Sequence, residues 1–279
     1  MVARDLLHGI PGLYRYVRCG CGLVFQNPRV VTEDLPLLYP AAEYAPYQVS
    51  DGEVAPALKR RMGELPVVGP FVRETLSIIS IGDRVAARLP AGARWLDVGC
   101  GNGSYLAQLR ERYGLDVAGV DFAPAAVAAA RRLDVDVHEG TVHTLPDSSF
   151  DVISMWWMLE HVSDPHGEIE RVAELLKPGG TLLVSVPNVA SVSARLFGAR
   201  WYHLDPPRHL TLWTPATLHR LLVAHGLRRI RVAYDRAPWG VMGTLRRSSP
   251  ALKAVVLPFT LASAAVRLAD IIAVEYRAT

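Results

Sequence analysis

The chain has 279 residues, 50% of them hydrophobic and 20% charged, which is enough apolar surface to bury a full core and excludes a disordered chain. Its formal charge of +3 comes from 27 Arg and 3 Lys scattered among 27 acids, with no Arg-rich run or interleaved aromatic stripe, so no nucleic-acid partner is expected. Three cysteines exclude a disulfide framework. No signal peptide is read, and the apolar stretch from Ala254 to Val266 is broken by Pro258 and too short to span a bilayer, so a cytoplasmic location is expected.

Residues 1–92 carry prolines at 36, 40, 46, 56, 66 and 70, which break long elements into short ones with loops. Within them, "RCGCGLVFQNPRV" holds Cys19-x-Cys21. Two thiolates cannot close a four-ligand zinc site, even with His8 as a third ligand, so a hairpin without metal is expected. From Arg94 onward, strand patterns alternate with helical ones. The strands are Arg94–Val98, Asp116–Asp121, Val135–Glu139, Phe150–Met155 and Thr181–Val186, the signature of a mostly parallel sheet covered on both faces.

"APAAVAAARR" after Asp121 is a helix with Pro124 in its first turn, and "KPGG" at Lys177–Gly180 ends another helix and turns into the fifth strand. Alternation halts over residues 188–214, a length of irregular chain that usually has a task, here a lid or substrate loop. It resumes with "TPATLHRLLVAHG", capped by Thr214 and closed by Gly226. The stretch from Ser249 to Ala269 reads as an apolar helix. Its polar face has no basic cluster, which favours packing on the body or on a second copy in a homodimer over peripheral membrane contact through 250–269. "RRIRVAYD" and "DIIAVEYRA" supply two late strands.

The turn in "WLDVGCGNGSYL" has glycines at 99, 101 and 103, where the absence of Cβ atoms lets a ligand approach the backbone and a helix N-terminus. The next strand ends at Asp121, 22 residues after Gly99, placed for a carboxylate to bind vicinal ribose hydroxyls. Together they indicate a nucleoside cofactor. A dinucleotide would want the third glycine one position later, and a nucleoside triphosphate would want Gly-Lys-Ser/Thr, which is absent. Asp97, two residues before the first glycine, can face an ammonium group, so a ligand with adenosine at one end and an amino acid at the other suits both acids.

"LDVGCGNG", "GVDFAP", "LPDSSFDVISMWWMLEHVSDP" and "ELLKPGGTLLVSVPN", in this order, resemble the successive motifs of class I S-adenosylmethionine-dependent methyltransferases across about a third of the chain. The likeness continues more weakly through "WYHLDPPRHLTLWTPATLHRLL". It implies a Rossmann-like α/β fold with a seven-stranded sheet of order 3-2-1-4-5-7-6, its last strand antiparallel, in a domain 93–279 preceded by an N-terminal region 1–92. That region resembles a degenerate zinc ribbon and would form part of the substrate cover together with loop 188–214. The cofactor implied is S-adenosyl-L-methionine, held by Asp97, Gly99, Cys100, Gly101, Gly103, Asp121, Phe122, Thr141, Val142 and Trp156. Family members commonly have Asp-Ala where Thr141 and Val142 stand, so a threonine hydroxyl would take the adenine amino group instead of a carboxylate.

The resemblance also implies a histidine acid/base just ahead of the late helix, which His209 matches, with His161 of "LEHV" second. A histidine can accept a hydroxyl proton near neutral pH. Tyr44, Trp157, His203 and Arg208 are the candidate substrate contacts, and Tyr39 and Tyr47 share the tyrosine-rich stretch with Tyr44. The expected activity is methyl transfer to a small-molecule acceptor, most plausibly an oxygen of a sugar, glycolipid precursor or secondary metabolite. The rivals are a non-catalytic cofactor-binding or assembly protein on the same sheet, and a hydride-transferring enzyme.

Overall fold

The computed structural model describes residues 1–39, 77–235, 239–245, 255 and 267–279. Tyr44, Tyr47 and most of the 249–269 segment lie outside the described residues. At the centre is a seven-stranded sheet of β4 (Arg94–Val98), β5 (Asp116–Asp121), β6 (Asp136–Glu139), β7 (Phe150–Trp156), β8 (Leu176–Pro187), β10 (Leu227–Tyr234) and β11 (Ile271–Ala278). The spatial order is β10-β11-β8-β7-β4-β5-β6, which is the expected 3-2-1-4-5-7-6 read from the other edge. Only β11 runs antiparallel to its neighbours, pairing Ile272 with Val186 on one side and with Tyr234 on the other.

Strands buried on both faces read as continuous apolar runs, and β4 shows why. Trp95 shares one core cluster with Leu106, Leu109 and Val152, while its neighbour Leu96 shares the cluster of the other face with Ile153, Ile169 and Leu218. The helices that cover these faces start where the sequence supplies caps. Asp164 accepts from the amides of His166 and Gly167 at the start of α4 (Pro165–Leu175), and Thr214 accepts from Thr217 at the start of α6 (Pro215–Ala224), each with proline in the first turn. Further helices are α1 (Ser77–Ala86), α2 (Ser104–Tyr113), α3 (Pro124–Arg131), α5 (Val192–Phe197) and α7 (Trp239–Thr244). Ile81, Val85 and Ala86 of α1 join the core cluster around Trp95, so this helix packs with the main sheet.

Two features differ from the pattern read along the chain. The fifth strand begins at Leu176, ahead of "KPGG", because Leu176 already pairs with Phe150. Loop 188–214 holds α5 and a two-residue strand β9 (Thr211–Leu212), both too short to leave a periodic signal. β9 pairs with β3 (Val24–Gln26), which forms a hairpin with β2 (Tyr14–Arg18); β1 (Val2–Ala3) completes a four-stranded sheet. The N-terminal hairpin thus carries the loop directly: Gln26 donates to the Leu210 carbonyl at 2.9 Å, and Tyr16 Oη to the His209 carbonyl at 2.8 Å. Cys19 and Cys21 are exposed in the hairpin turn. Among the described residues neither belongs to a group of three potential metal ligands.

Candidate active site

A cavity of about 1110 Å³ opens at the carboxyl ends of β4, β5, β6 and β7, the edge where open α/β sheets bind ligands. Gly99, Gly101, Asp121, Thr141 and Trp156 line one part of it, and Trp157, His161, His203, Asp205 and His209 another. Leu7, His8, Leu35 and Tyr39 close it from the N-terminal region, and Tyr202 from loop 188–214.

The glycine turn is shaped as much by protein packing as by room for a ligand. Gly99 has φ +74°, and a Cβ there would stand 2.8 Å from Met158; Gly103 has φ +71°, and a Cβ would stand 2.7 Å from Ala130 of α3. Four of the turn's amides are spent internally. Those of Gly99 and Cys100 go to the Val120 carbonyl, that of Gly103 to Cys100, and that of Gly101 to Asp121 Oδ2 at 2.9 Å. These four donors hold the turn's shape, while Gly99 and Gly101 present its surface to the cavity.

Asp121 is the acid at the cavity wall. Its other oxygen accepts from Ala123 at 2.9 Å. A carboxylate has about four acceptor sites, so two remain for ribose-type hydroxyls. Burial raises its pKa, and the two amide bonds oppose that rise. Asp97 is placed differently. It lies behind the wall, where Trp95 Nε1 donates to Ser154 Oγ at 2.8 Å and Ser154 donates to Asp97 Oδ1 at 2.5 Å. Desolvation, against the Ser154 bond and with the charge of Asp121, pushes Asp97 up to about 7. Cys100, Gly103 and Val142 are likewise absent from the wall. Cys100 and Val142 are buried in the two core clusters, and Gly103 is packed against α3. Phe122 stands exposed on the wall, edge-on to Tyr39 with ring centroids 5.4 Å apart.

Beyond β6, Thr141 lines the cavity beside His143, whose Nε2 lies 3.2 Å from Glu168 Oε2. Glu168 belongs to the first turn of α4 and is 4% exposed. Its Oε1 is buried with no hydrogen-bond partner, and burial raises its pKa against the nearby His143.

At the opposite end, two histidine rings meet edge to face at 4.7 Å. His209 Nδ1 lies 2.9 Å from the His203 carbonyl, and His161 Nδ1 lies 3.2 Å from the Arg208 carbonyl and 2.8 Å from Tyr39 Oη. A carbonyl only accepts, so each Nδ1 carries a proton and the neutral ring keeps its lone pair on Nε2. Burial depresses both, His161 to about 3 and His209 to about 4, so both are neutral at pH 7. Asp205 Oδ2 stands 3.7 Å from His209 Nε2, close enough to stabilise a proton gained there. Burial also brings His203 down to about 3, and its ring packs on Trp157.

Arg208, expected as a substrate contact, is fully buried off the wall and instead grips the Asp205 carboxylate through Nε at 3.1 Å and through a second guanidinium nitrogen. Glu160 is fully buried, with neither oxygen hydrogen-bonded, and desolvation pushes it up to about 8. Its carboxylate and the rings of His161 and His209 bring three potential ligand atoms within 4.8 Å of one another, an arrangement that could share a proton or coordinate a cation. Glu160, Glu168 and Met158 were not singled out in the sequence. Met158 and Glu160 lie in the short 3-10 turn after β7 and Glu168 in the first turn of α4, and only packing turns them inward.

A methyltransferase-domain family model matches residues 72–232. The ubiquinone biosynthesis O-methyltransferase of Xanthomonas axonopodis pv. citri is 45% identical over 114 residues, 37% of this chain and 47% of that protein. That of Azorhizobium caulinodans is 32% identical over 193 residues, 63% of this chain and 76% of that protein. The chain spans about half the length of the first of these curated relatives. Among solved structures, Haemonchus contortus phosphoethanolamine N-methyltransferase 2 in complex with S-adenosyl-L-methionine aligns with a TM-score of 0.53 at 17% identity, over 74% of this chain and 52% of that one. The [4+2]-cyclase SpnF aligns with a TM-score of 0.54 at 21% identity, over 88% and 92%. Identities this low establish a shared fold, and a cyclase on that fold means the reaction must be argued from the site.

Proposed function

Because the chain belongs to the class I S-adenosylmethionine-dependent methyltransferases, we propose that it transfers the methyl group to a hydroxyl oxygen of a small-molecule acceptor. One observation carries this reading: a single cavity joins Asp121 at one end to two neutral, Nε2-basic imidazoles at the other. At about 1110 Å³ it exceeds an ordinary ligand pocket, so a nucleoside cofactor and an acceptor fit together.

Asp121 would hold the ribose hydroxyls, with Gly101, Thr141 and Trp156 around the remainder and Asp97 behind the wall, bonded to Ser154. Bound S-adenosylmethionine supplies an electrophilic methyl group on a sulfonium centre. The chain's own task is then to align the acceptor oxygen, exclude water and take a proton, and positioning alone lowers such barriers by ~7–11 kcal/mol. Residues 1–39 and loop 188–214 form the acceptor's cover, where Leu7, Tyr39, Tyr202 and His203 join Trp157, just beyond β7, in a largely apolar and aromatic wall. His209 is the proposed base, with His161 beside it. An oxygen gaining a bond to carbon becomes strongly acidic, so an imidazole of depressed basicity suffices, and Asp205 stabilises the imidazolium.

The aromatic wall suits a flat acceptor such as a phenol, and the relatives' name speaks of O-methylation in ubiquinone biosynthesis. A sugar, a glycolipid precursor or another secondary metabolite is the further range. Calorimetry with S-adenosylmethionine, followed by a methyl-transfer screen over phenolic and sugar hydroxyls, tests the proposal. Tight binding with turnover on a hydroxyl is expected. Binding without turnover on any acceptor would favour a protein that kept the fold and lost the chemistry.

A further inference from the structure

We infer that Glu168, working from helix α4, reads the 6-amino edge of the cofactor's adenine in place of the carboxylate missing at Thr141. This rests on the proposed cofactor reading and assigns its base specificity to one residue. The chain leaving β6 lies directly beside the ribose acid, since the Gly140 amide donates to the Asp121 carbonyl at 2.9 Å. Thr141, His143 and Glu168 line the cavity from there outward, so an adenosine held at Asp121 directs its base toward them.

The start of α4 is held in place by the Asp164 cap, and Glu168 in that first turn faces inward. His143 Nε2, at 3.2 Å, occupies Oε2. Oε1 has no partner although it is buried, and an unpaired carboxylate oxygen in a residue that lines the cavity is costly until a ligand supplies a donor. An exocyclic amino group is such a donor. The half-exposed His143 keeps the other oxygen occupied and the carboxylate oriented.

The test uses two probes, S-adenosyl-L-homocysteine and S-inosyl-L-homocysteine, which differ only in the purine. The second has a 6-oxo acceptor where the first has an amino donor. Calorimetry on the whole protein should give the wild type at least about a tenfold preference for the adenosyl compound, the value of one charge-assisted hydrogen bond. In Glu168→Gln, whose amide can donate to the oxo group, that preference should fall at least about tenfold, and Glu168→Leu should abolish it. His143→Gln, at a half-exposed position that folding tolerates, should move the preference at least about threefold by releasing Glu168. An unchanged preference in folded variants, or no preference in the wild type, overturns the assignment to Glu168 while leaving the cofactor reading intact. Failure of the wild type to bind either compound overturns the cofactor reading itself.

Discussion

Substituting Asp205→Asn should loosen the loop that carries His209, with a cost set by a neighbour. Arg208 is 0% exposed and spends two guanidinium nitrogens on the Asp205 carboxylate. An exposed pair of this kind contributes about 0–1 kcal/mol, but breaking a buried one leaves a charge without its counter-charge and costs about 3–5 kcal/mol. At about this chain size each kcal/mol moves the melting midpoint about 2–4 °C, so a fall of about 6–20 °C is expected. Circular-dichroism melts at pH 7 of the wild type, Asp205→Asn and the uncharged double variant Asp205→Leu/Arg208→Met measure it. The double variant, which buries no charge, should recover at least half of the loss. A single variant that melts within about 2 °C of the wild type would refute the argument, as would a double variant no more stable than the single.

His209→Gln should lower kcat by about 10²–10⁴ with S-adenosyl-L-homocysteine affinity unchanged, and His161→Gln should lower it by less; full turnover in His209→Gln would remove the base assignment. Stability should drop in mild acid. His209 titrates at about 4 when folded, below its ordinary 6.5, so its contribution is complete above pH 6.5 and lost as pH falls toward 4. At pH 5 that loss is ~2 kcal/mol, and a denaturant midpoint in His209→Gln should shift less between pH 7 and 5 than in the wild type. Asp121→Asn should weaken S-adenosyl-L-homocysteine binding at least about tenfold by calorimetry, because the ribose hydroxyls lose a charged acceptor. Tyr16→Phe removes a buried hydrogen bond to the His209 carbonyl and should cost ~1 kcal/mol, read as a melt shift of about 2–4 °C.

Much of this protein is written locally. Strand and helix periods, the prolines and cap at Pro124, Thr214 and Pro215, and the acid ending β5 depend on neighbours a few residues away, and they were enough to read a mostly parallel covered sheet and the Asp121 end of the cavity, while the strand order came from the resemblance of the successive motifs to a known family. What the chain could not show in one dimension is which polar groups face inward. Asp97 and Asp121 look alike as acids at strand ends, yet packing puts one behind Ser154 and the other on the wall. Arg208 and His209 are adjacent, but the guanidinium is buried against Asp205 while the imidazole lines the cavity. Only the tertiary structure decided that β9 would join a hairpin nearly two hundred residues earlier, and that Glu168 would turn toward His143. Burial and the cost of an unpaired charge depend on contacts distant in sequence, and those exist only once the chain has folded.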